Sequence, residues 1–190
     1  MGDIAYKEPP WIEIIDGKTV MMSPRPRVDH NRIIRNLTRM FGTYLLGKPC
    51  EVFADGADVH LDEKNLFIPD VMIVCNPDII RPDAIYGAPD LVVEILSPST
   101  ARNDRISKLQ TYGKAGVREY WIVSPLAHTV EVCLQQNGTL ALDNVYIDAP
   151  DWELENMSAE ERAKVHEDIK VSLYDDFIVS VHDIFYKVER

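Results

Sequence analysis

Cysteine is scarce in this chain, and its three examples lie far apart at positions 50, 75 and 133. No two of them form a CxxC pair, which argues against a zinc site of the usual kind. An odd, dispersed set is typical of reduced cysteines. We therefore expect free thiols and a cytoplasmic location.

Targeting signals and several common catalytic motifs are also missing. The start, MGDIAYKEPP, has no basic region and no apolar stretch, so it does not predict a signal peptide. No apolar run approaches the length that crosses a membrane. The Gly-rich phosphate loop, HExxH and GxSxG do not occur. Ser97 and Ser99 could pair with His30 as in a hydrolase, but their context is not that of a nucleophile elbow.

The net charge of −11 argues against a general nucleic-acid binder, but the charge is unevenly distributed. Residues 148–176 hold ten acids and three basic residues. Residues 25–39 hold five arginines against one aspartate, and residues 101–118 hold five basic residues against one aspartate. This distribution permits a phosphate-facing surface on an acidic protein.

The length of 190 residues and the apolar content of 46% are typical of one globular domain with a substantial core. Hydrophobic periodicity and turn residues predict the elements in order: a hairpin (11–15 and 19–22, turning at Asp16-Gly17), a helix (29–46), a strand (51–61, kinked at Asp55-Gly56), two buried strands (71–75 and 91–96), a helix (102–115), a strand (119–123), a hairpin (129–134 and 139–147, turning at Asn137-Gly138), a short acidic helix (158–168), a strand (177–181) and a final helical turn (181–186). This order predicts an α/β (α+β) fold whose mixed sheet is flanked by helices. Residues 148–168 are expected to form an acidic surface insertion.

The first helix separates apolar from basic residues. Asp29 is its expected N-cap. Arg32, Arg35 and Arg39 lie opposite the apolar face, which fits either a solvated face or a contact surface for phosphates or a partner. His30 projects to the apolar side of the first turn, where a structural histidine is commoner than a catalytic one.

Each buried strand carries an acid in an unfavourable place. Asp70 stands at the start of the first, and Glu94 lies inside the second between apolar residues. A buried carboxylate is costly unless a cation, a hydrogen-bond donor or a metal holds it. These two acids, with the main-chain carbonyl of Ile95, could bind Mg²⁺ or Mn²⁺. Alternatively, Asp70 caps a turn and Glu94 forms a structural salt bridge with Lys108.

Lys108 lies on the helix that follows the second acid. The apolar stripe of that helix contains Ile106, Leu109 and Tyr112, and Lys108 lies about 70° from its centre at 100° per residue. It could extend along the core boundary to the strand ends, where it would orient a water or stabilise developing charge. The competing interpretation is a surface lysine.

Three stretches together resemble a known family: MSPRPRVDHNRIIRNL, IPDVMIV and PDLVVEILSPSTARNDRISKLQTYGKAGVREYWIVSP. They are similar to the Uma-type family of restriction endonucleases, in the PD-(D/E)XK nuclease superfamily. The resemblance covers about residues 10–147. It implies a single domain over residues 1–190 with a restriction-endonuclease-like fold, in which a central mixed sheet is flanked by helices, with hairpins near both ends.

The resemblance also implies roles for individual residues. Asp70 would be the acid of the PD motif and Glu94 the second acid, both binding a divalent metal. The superfamily lysine should stand where this chain has Leu96, and the family pattern moves it to Lys108 on the following helix. His30 corresponds to a place where related nucleases put another active-site residue.

The expected activity is Mg²⁺- or Mn²⁺-dependent hydrolysis of DNA phosphodiester bonds. The predicted phosphate contacts are Arg32, Arg35, Arg102 and Arg105. A homodimer is expected by analogy, since such nucleases cut two strands with two sites. The alternative is a catalytically inactive interaction or regulatory protein with the same fold, which the net charge and Leu96 favour and the retained pair of acids disfavours.

Overall fold

The computed structural model describes residues 12–21, 27–54, 56–163 and 165–190. Strands β1 (Ile12–Ile15) and β2 (Lys18–Met21) form the predicted first hairpin. Asp16 and Gly17 both have positive φ, 50° and 76°, as the two central residues of a type I′ turn require. The predicted hairpin residues Trp11 and Met22, and the kink residue Asp55, lie outside the described residues.

The remaining strands are β3 (Glu51–Ala54), β4 (Val59–Asp62), β5 (Asn65–Phe67), β6 (Val71–Val74), β7 (Ile85–Tyr86), β8 (Leu91–Ile95), β9 (Glu119–Ser124), β10 (Thr129–Gln136), β11 (Thr139–Ile147), β12 (Asp168–Lys170) and β13 (Ile178–Ser180). The helices are α1 (Val28–Leu45), α2 (Ala101–Asn103), α3 (Leu109–Ala115), α4 (Asp151–Asn156), α5 (Ala159–Arg162) and α6 (Val181–Ile184), with a 3₁₀ turn at Pro77–Ile79. A π-helical turn, Asp104–Lys108, joins α2 to α3, and the three together are called helix 101–115 below.

Six strands form the central sheet in the order β11-β10-β9-β8-β6-β3. β8 and β9 are parallel, and the other neighbouring pairs are antiparallel. Parallel neighbours need a crossover, which helix 101–115 supplies between β8 and β9. The predicted fold class, with a central mixed sheet and flanking helices, is confirmed.

The two faces of the central sheet are covered by different elements. On one face, α1 and the C-terminal segment pack on alternate strand residues, where Phe41 meets Trp121 and Phe177 edge to face, each at 5.6 Å between ring centroids. The other face carries helix 101–115 and a second sheet, ordered β2-β1-β5-β4-β7. The first hairpin therefore belongs to this second sheet.

Several predicted elements differ from the structure. The strand predicted over 51–61 is two strands in different sheets, β3 and β4. Asp29 is not the N-cap of α1, because Arg27 precedes the first helical residue and Asp29 pairs with Arg32 instead. The acidic helix predicted over 158–168 is shorter, α5, although Ser158 and Glu161 form the expected capping box.

The acidic segment is exposed along α4 and α5, but its first residue is not. Asp148 is buried and holds three partners from two other parts of the chain. Its carboxylate lies 3.1 Å from both His128 and His182, and 3.0 Å from Arg190. The start of this segment is thus fixed to the C-terminal residues.

The expectation of reduced cysteines is wrong for one pair. Cys50 directly precedes β3 and Cys75 directly follows β6, so the antiparallel register of these strands places them opposite each other. The two are joined by a disulfide, while Cys133 is free and buried. Sequence spacing could not reveal this, since the two cysteines are 25 positions apart.

No helix of the described ranges is long and apolar enough to cross a lipid bilayer.

Asn36 fastens the C-terminal segment to α1. It is 1% exposed, and its side-chain amide donates to the carbonyls of Ile184 and Tyr186 at 2.9 and 3.0 Å. We expect Asn36→Ala to lower the free energy of unfolding by roughly 2–3 kcal/mol, because it leaves these acceptors without a donor. Urea denaturation measures this. Asn31→Ala, an exposed position on the same helix, should change it by less than about 0.5 kcal/mol.

Glu119 is a buried acid on the α1 face of the sheet. It accepts hydrogen bonds from the Trp121 indole at 2.6 Å and the Ser172 N–H at 2.7 Å. Burial raises the pKa of its carboxyl above the ordinary value. The stability that this group contributes is therefore complete below the ordinary pKa of glutamate and is lost as the pH rises through the folded-state pKa.

Replacing this acid by its neutral amide should remove that pH dependence. We expect the free energy of unfolding of Glu119→Gln to shift upward, relative to wild type, as the pH is raised from acid to neutral. Urea titrations of both proteins at several pH values measure the difference. A difference that stays constant with pH would contradict the prediction.

Candidate active site

Asp70 and Glu94 are neighbours at one end of the central sheet. β6 and β8 are antiparallel with Val71 opposite Val93, and one further step of this register places Asp70 opposite Glu94. The Glu94 side chain lies on the face that carries helix 101–115, and Asp70 lies at the sheet end next to β6, where it reaches His30 of α1. The predicted convergence of these two acids is present.

Both oxygens of the Asp70 carboxylate have partners. Oδ1 lies 2.9 Å from His30 Nε2, and Oδ2 accepts the main-chain N–H of Ile95 at 2.6 Å. His30 is on the first turn of α1, so the helix sets the orientation of the PD acid. The Asp70 and His30 side chains are each 15% exposed, which places this pair at the mouth of the site.

The Ile95 carbonyl also points toward Asp70. The N–H of the next residue, Leu96, donates to Val123 on β9 at 2.8 Å. Since successive residues of a strand turn their main-chain groups to opposite sides, the N–H and C=O of Ile95 face away from β9 and toward Asp70. The role of this carbonyl as a metal ligand stays a prediction.

Lys108 is buried, not a surface lysine. Its exposed fraction is 2%, whereas Ile106, predicted to lie in the apolar stripe, is 46% exposed. The π-helical turn over Asp104–Lys108 explains the difference, because its wider turn shifts the phase of the residues that follow. Asp104, Lys108 and Tyr112, spaced by four, consequently face the core together.

Three carboxylates surround the Lys108 ammonium. Its Nζ lies 2.7 Å from Glu13 Oε1, 3.0 Å from Glu94 Oε1 and 3.6 Å from Asp104 Oδ1. All three acids are at most 4% exposed. The predicted salt bridge between Glu94 and Lys108 is thus part of a larger buried cluster, in which three carboxyl groups surround one ammonium.

The cluster changes the acidity of its members. Burial raises the pKa of Glu94 well above its ordinary value, although the Lys108 charge opposes this. Burial likewise raises the pKa of Asp104. For Lys108, burial lowers the pKa, but the carboxylates of Glu94, Glu13 and Asp104 outweigh it, so the pKa is raised overall. Lys108 therefore stays protonated and can donate hydrogen bonds but cannot act as a base.

Aromatic side chains close the site on the inner side. The Tyr112 hydroxyl donates to Glu94 Oε1 at 3.1 Å, and the Tyr120 hydroxyl donates to the main-chain carbonyl of Asp104 at 3.0 Å. The ring centroid of Phe67 is 5.7 Å from Lys108 Nζ. These contacts exclude water from the inner part of the cluster and fix Glu94 through one oxygen, since Lys108 and Tyr112 both use Oε1.

The donor set fits a hard divalent cation. Asp70, Glu94 and the Ile95 carbonyl offer oxygen ligands, and Mg²⁺ is commonly bound by one or two carboxylates with water or substrate phosphate completing its shell. Asp104 Oδ1 is buried without a hydrogen-bond partner, and its nearest charged group is the Lys108 ammonium at 3.6 Å. No three His, Cys, Asp or Glu side chains in the described ranges are grouped to hold a metal by themselves.

The four arginines predicted to contact DNA differ in the partners that their guanidinium groups already have. Arg32 pairs with Asp29 at 2.7 Å, and Arg105 pairs with Glu131. Arg35 donates to the side chain of Asn36, and Arg102 is exposed. Pairing with acids weakens the first two as phosphate contacts.

Sequence reasoning missed two acids of the cluster, Glu13 and Asp104. Glu13 stands in the apolar run IEII just as Glu94 stands in VVEIL, so the criterion that identified Glu94 applied to it as well. Asp104 lies four residues before Lys108, a spacing that places the two on one helix face. Asp90, four residues before Glu94, lies at the opposite end of β8 and accepts the Cys75 N–H at 2.7 Å.

Comparisons with known proteins agree with this architecture. A solved structure titled as a "putative nuclease belonging to DUF820" from Anabaena variabilis superposes with a TM-score of 0.70 at 21% identity, over 93% of this chain and 90% of its own. That likeness concerns the fold. A Synechocystis relative, "Uncharacterized protein slr1290", is 28% identical over 155 residues, 80% of this chain and 75% of its own length. The model of the Uma2 family, described as "Putative restriction endonuclease", matches residues 4–171. The chain therefore belongs to the Uma2 family.

Proposed function

We propose that this protein is a divalent-metal-dependent endonuclease that hydrolyses DNA phosphodiester bonds. The observation that carries the proposal is that Asp70 lies next to Glu94 at one sheet end, where Glu94 belongs to a buried cluster of three carboxyl groups around the Lys108 ammonium. Such a cluster is costly for stability alone, and a cation at its open side offsets that cost. Family membership and the nuclease-like fold support the same activity.

Each side chain has a distinct part in this proposal. Asp70, Glu94 and the Ile95 carbonyl would hold Mg²⁺ or Mn²⁺. When bound, such an ion neutralises charge on the phosphodiester and makes water more acidic. His30 orients Asp70 through Oδ1, and the Ile95 N–H holds Oδ2. Lys108 would direct positive charge toward the site through its contact with Glu94.

The acids of α4 and α5 are exposed and belong to a different part of the chain from the buried cluster around Lys108. The acidic segment leaves the sheet from β11, three strands from β8, which is about 14 Å at the usual strand spacing. We propose Arg102 as the foremost phosphate contact of the four predicted arginines. The homodimer and the cytoplasmic location stay predictions.

The test is cleavage of supercoiled plasmid and of single-stranded DNA with Mn²⁺, Mg²⁺ or excess chelator. We expect nicking that requires the metal and that chelator abolishes. Equal background cleavage with and without metal would overturn the proposal. In that case the inactive interaction protein becomes the better reading, and the cluster keeps only a structural role.

Metal binding can be measured without any substrate. A ligand at about 100 times its Kd stabilises the folded state by about 2.7 kcal/mol. For a domain of this size that corresponds to a rise in Tm of roughly 5–10 °C with Mn²⁺. Thermal unfolding of Glu94→Gln should show no such rise. An equal rise in the Tm of Glu94→Gln would indicate that the ion binds at a site that does not include Glu94.

A further inference from the structure

Glu13 enters the site from outside the motifs that carry the two predicted acids. It belongs to β1, in the second sheet, and its neighbours Ile12, Ile14 and Ile15 are apolar. Its exposed fraction is only 4%. A buried carboxylate at this point requires partners that hold it.

Its partners come from both sides of the site. Oε1 lies 2.7 Å from Lys108 Nζ, the shortest of the three carboxylate contacts of that ammonium. The same oxygen accepts the main-chain N–H of Ile68 at 3.0 Å. Ile68 is two residues before Asp70, so one carboxylate joins the helix that carries the lysine to the segment that delivers the PD acid.

The geometry gives Glu13 a specific effect on Glu94. Without its charge, the ammonium keeps only Glu94 and the more distant Asp104 as partners. Because a buried cation moves toward the nearest remaining anion, Lys108 would be drawn to Glu94 and would compete there with a divalent ion. Glu13 thus keeps the Lys108 ammonium shared among Glu13, Glu94 and Asp104.

We propose that Glu13 is a positioning residue of this site, acting through Lys108 to fix the lysine relative to Asp70 and Glu94. The inference rests on the proposed nuclease function for its catalytic consequence. It extends the site by an acid from the second sheet, which none of the recognised motifs contains.

The test compares Glu13→Gln, Lys108→Met and the double variant in metal-dependent DNA cleavage. Glu13→Gln keeps a carbonyl oxygen for the Ile68 N–H but removes the charge. Loss of a residue that orients a ligand commonly lowers metal affinity or activity by 10- to 100-fold, and we expect a loss of about that size in kcat. In the Lys108→Met background the same substitution should change kcat by less than about twofold, because no ammonium remains to be positioned.

Glu119→Gln is the matched control. It makes the same change in a buried strand glutamate that contacts Trp121 and Ser172, not Lys108. We expect its kcat to equal that of wild type. Equal losses from both glutamine variants would indicate general loosening of the fold and overturn the inference, as would full additivity of Glu13→Gln with Lys108→Met.

A second readout does not depend on cleavage. A buried, paired lysine ammonium exchanges its protons slowly and gives a ¹H–¹⁵N signal, which Lys108→Met identifies by its absence. We expect this signal to shift or vanish in Glu13→Gln and to persist in Glu119→Gln. If the wild-type protein fails to cleave DNA, the proposed function is wrong. The spectrum then still tests, independently of cleavage, whether Glu13 positions the Lys108 ammonium. An unchanged signal in Glu13→Gln overturns it.

Discussion

Glu94→Gln and Asp70→Asn should each abolish metal-dependent cleavage of DNA. Both substitutions keep the shape of the side chain and remove one negative charge from a proposed ligand. Since changing a residue that only supports a ligand costs 10- to 100-fold, we expect these two to lower the cleavage rate by more than about 100-fold. Plasmid nicking at saturating Mn²⁺ measures the rate, and far-UV circular dichroism verifies that the variants are folded.

This chain contains a matched control for each acid. Asp90 precedes β8 as Asp70 precedes β6, and each accepts a main-chain N–H, but Asp90 lies at the other end of the sheet. Glu119 is buried in β9 as Glu94 is in β8, on the opposite face. Asp90→Asn and Glu119→Gln should retain cleavage within about threefold of wild type. A retained rate in Asp70→Asn or Glu94→Gln would refute the assignment of the ligands.

Lys108→Met should be the most destabilising substitution in the site. It removes the ammonium that three buried carboxylates share, and methionine fills a similar volume without charge. Removing one partner of a buried ion pair costs about 3–5 kcal/mol, because the other charge is left uncompensated. We expect a loss of that size in the free energy of unfolding at neutral pH, measured by urea denaturation without metal.

Lys114→Met supplies the comparison on the same helix. Lys114 is exposed, so its replacement should change the free energy of unfolding by less than about 0.5 kcal/mol. If Lys108→Met is as stable as wild type, the carboxylates do not depend on the lysine. The interpretation of the cluster as one electrostatic unit would then be wrong.

Sequence alone determined the features that depend on short-range patterns. Asp16-Gly17 and Asn137-Gly138 adopt the positive φ values that their hairpins need, and Gly116 ends helix 101–115 at φ 97°. The buried strands next to Asp70 and around Glu94 can be predicted from the sequence, because a run of four or five apolar residues in a globular domain usually forms a buried strand. A carboxylate inside such a run needs a partner that holds it, which is why Glu94 is recognisable as unusual from the sequence.

Tertiary structure decided what these patterns could not specify. The stretch predicted as one strand over 51–61 divides between two sheets, and Cys50 meets Cys75 only because β3 and β6 pair. Lys108 is buried because a π-helical turn rotates it inward, a change of phase that ideal helical periodicity cannot predict.

The candidate site likewise combines features that the sequence predicts with features that only tertiary packing sets. Sequence placed Asp70 and Glu94 on adjacent strands, since each interrupts or begins an apolar run whose burial it must share. Only the packing of the second sheet against the first brought Glu13 to Lys108, across 95 positions of the chain. Contacts of that range follow from how the sheets and helix stack, and the physical reason is that a buried carboxylate such as Glu13 is costly unless a cation and a donor, here Lys108 and the Ile68 N–H, hold it.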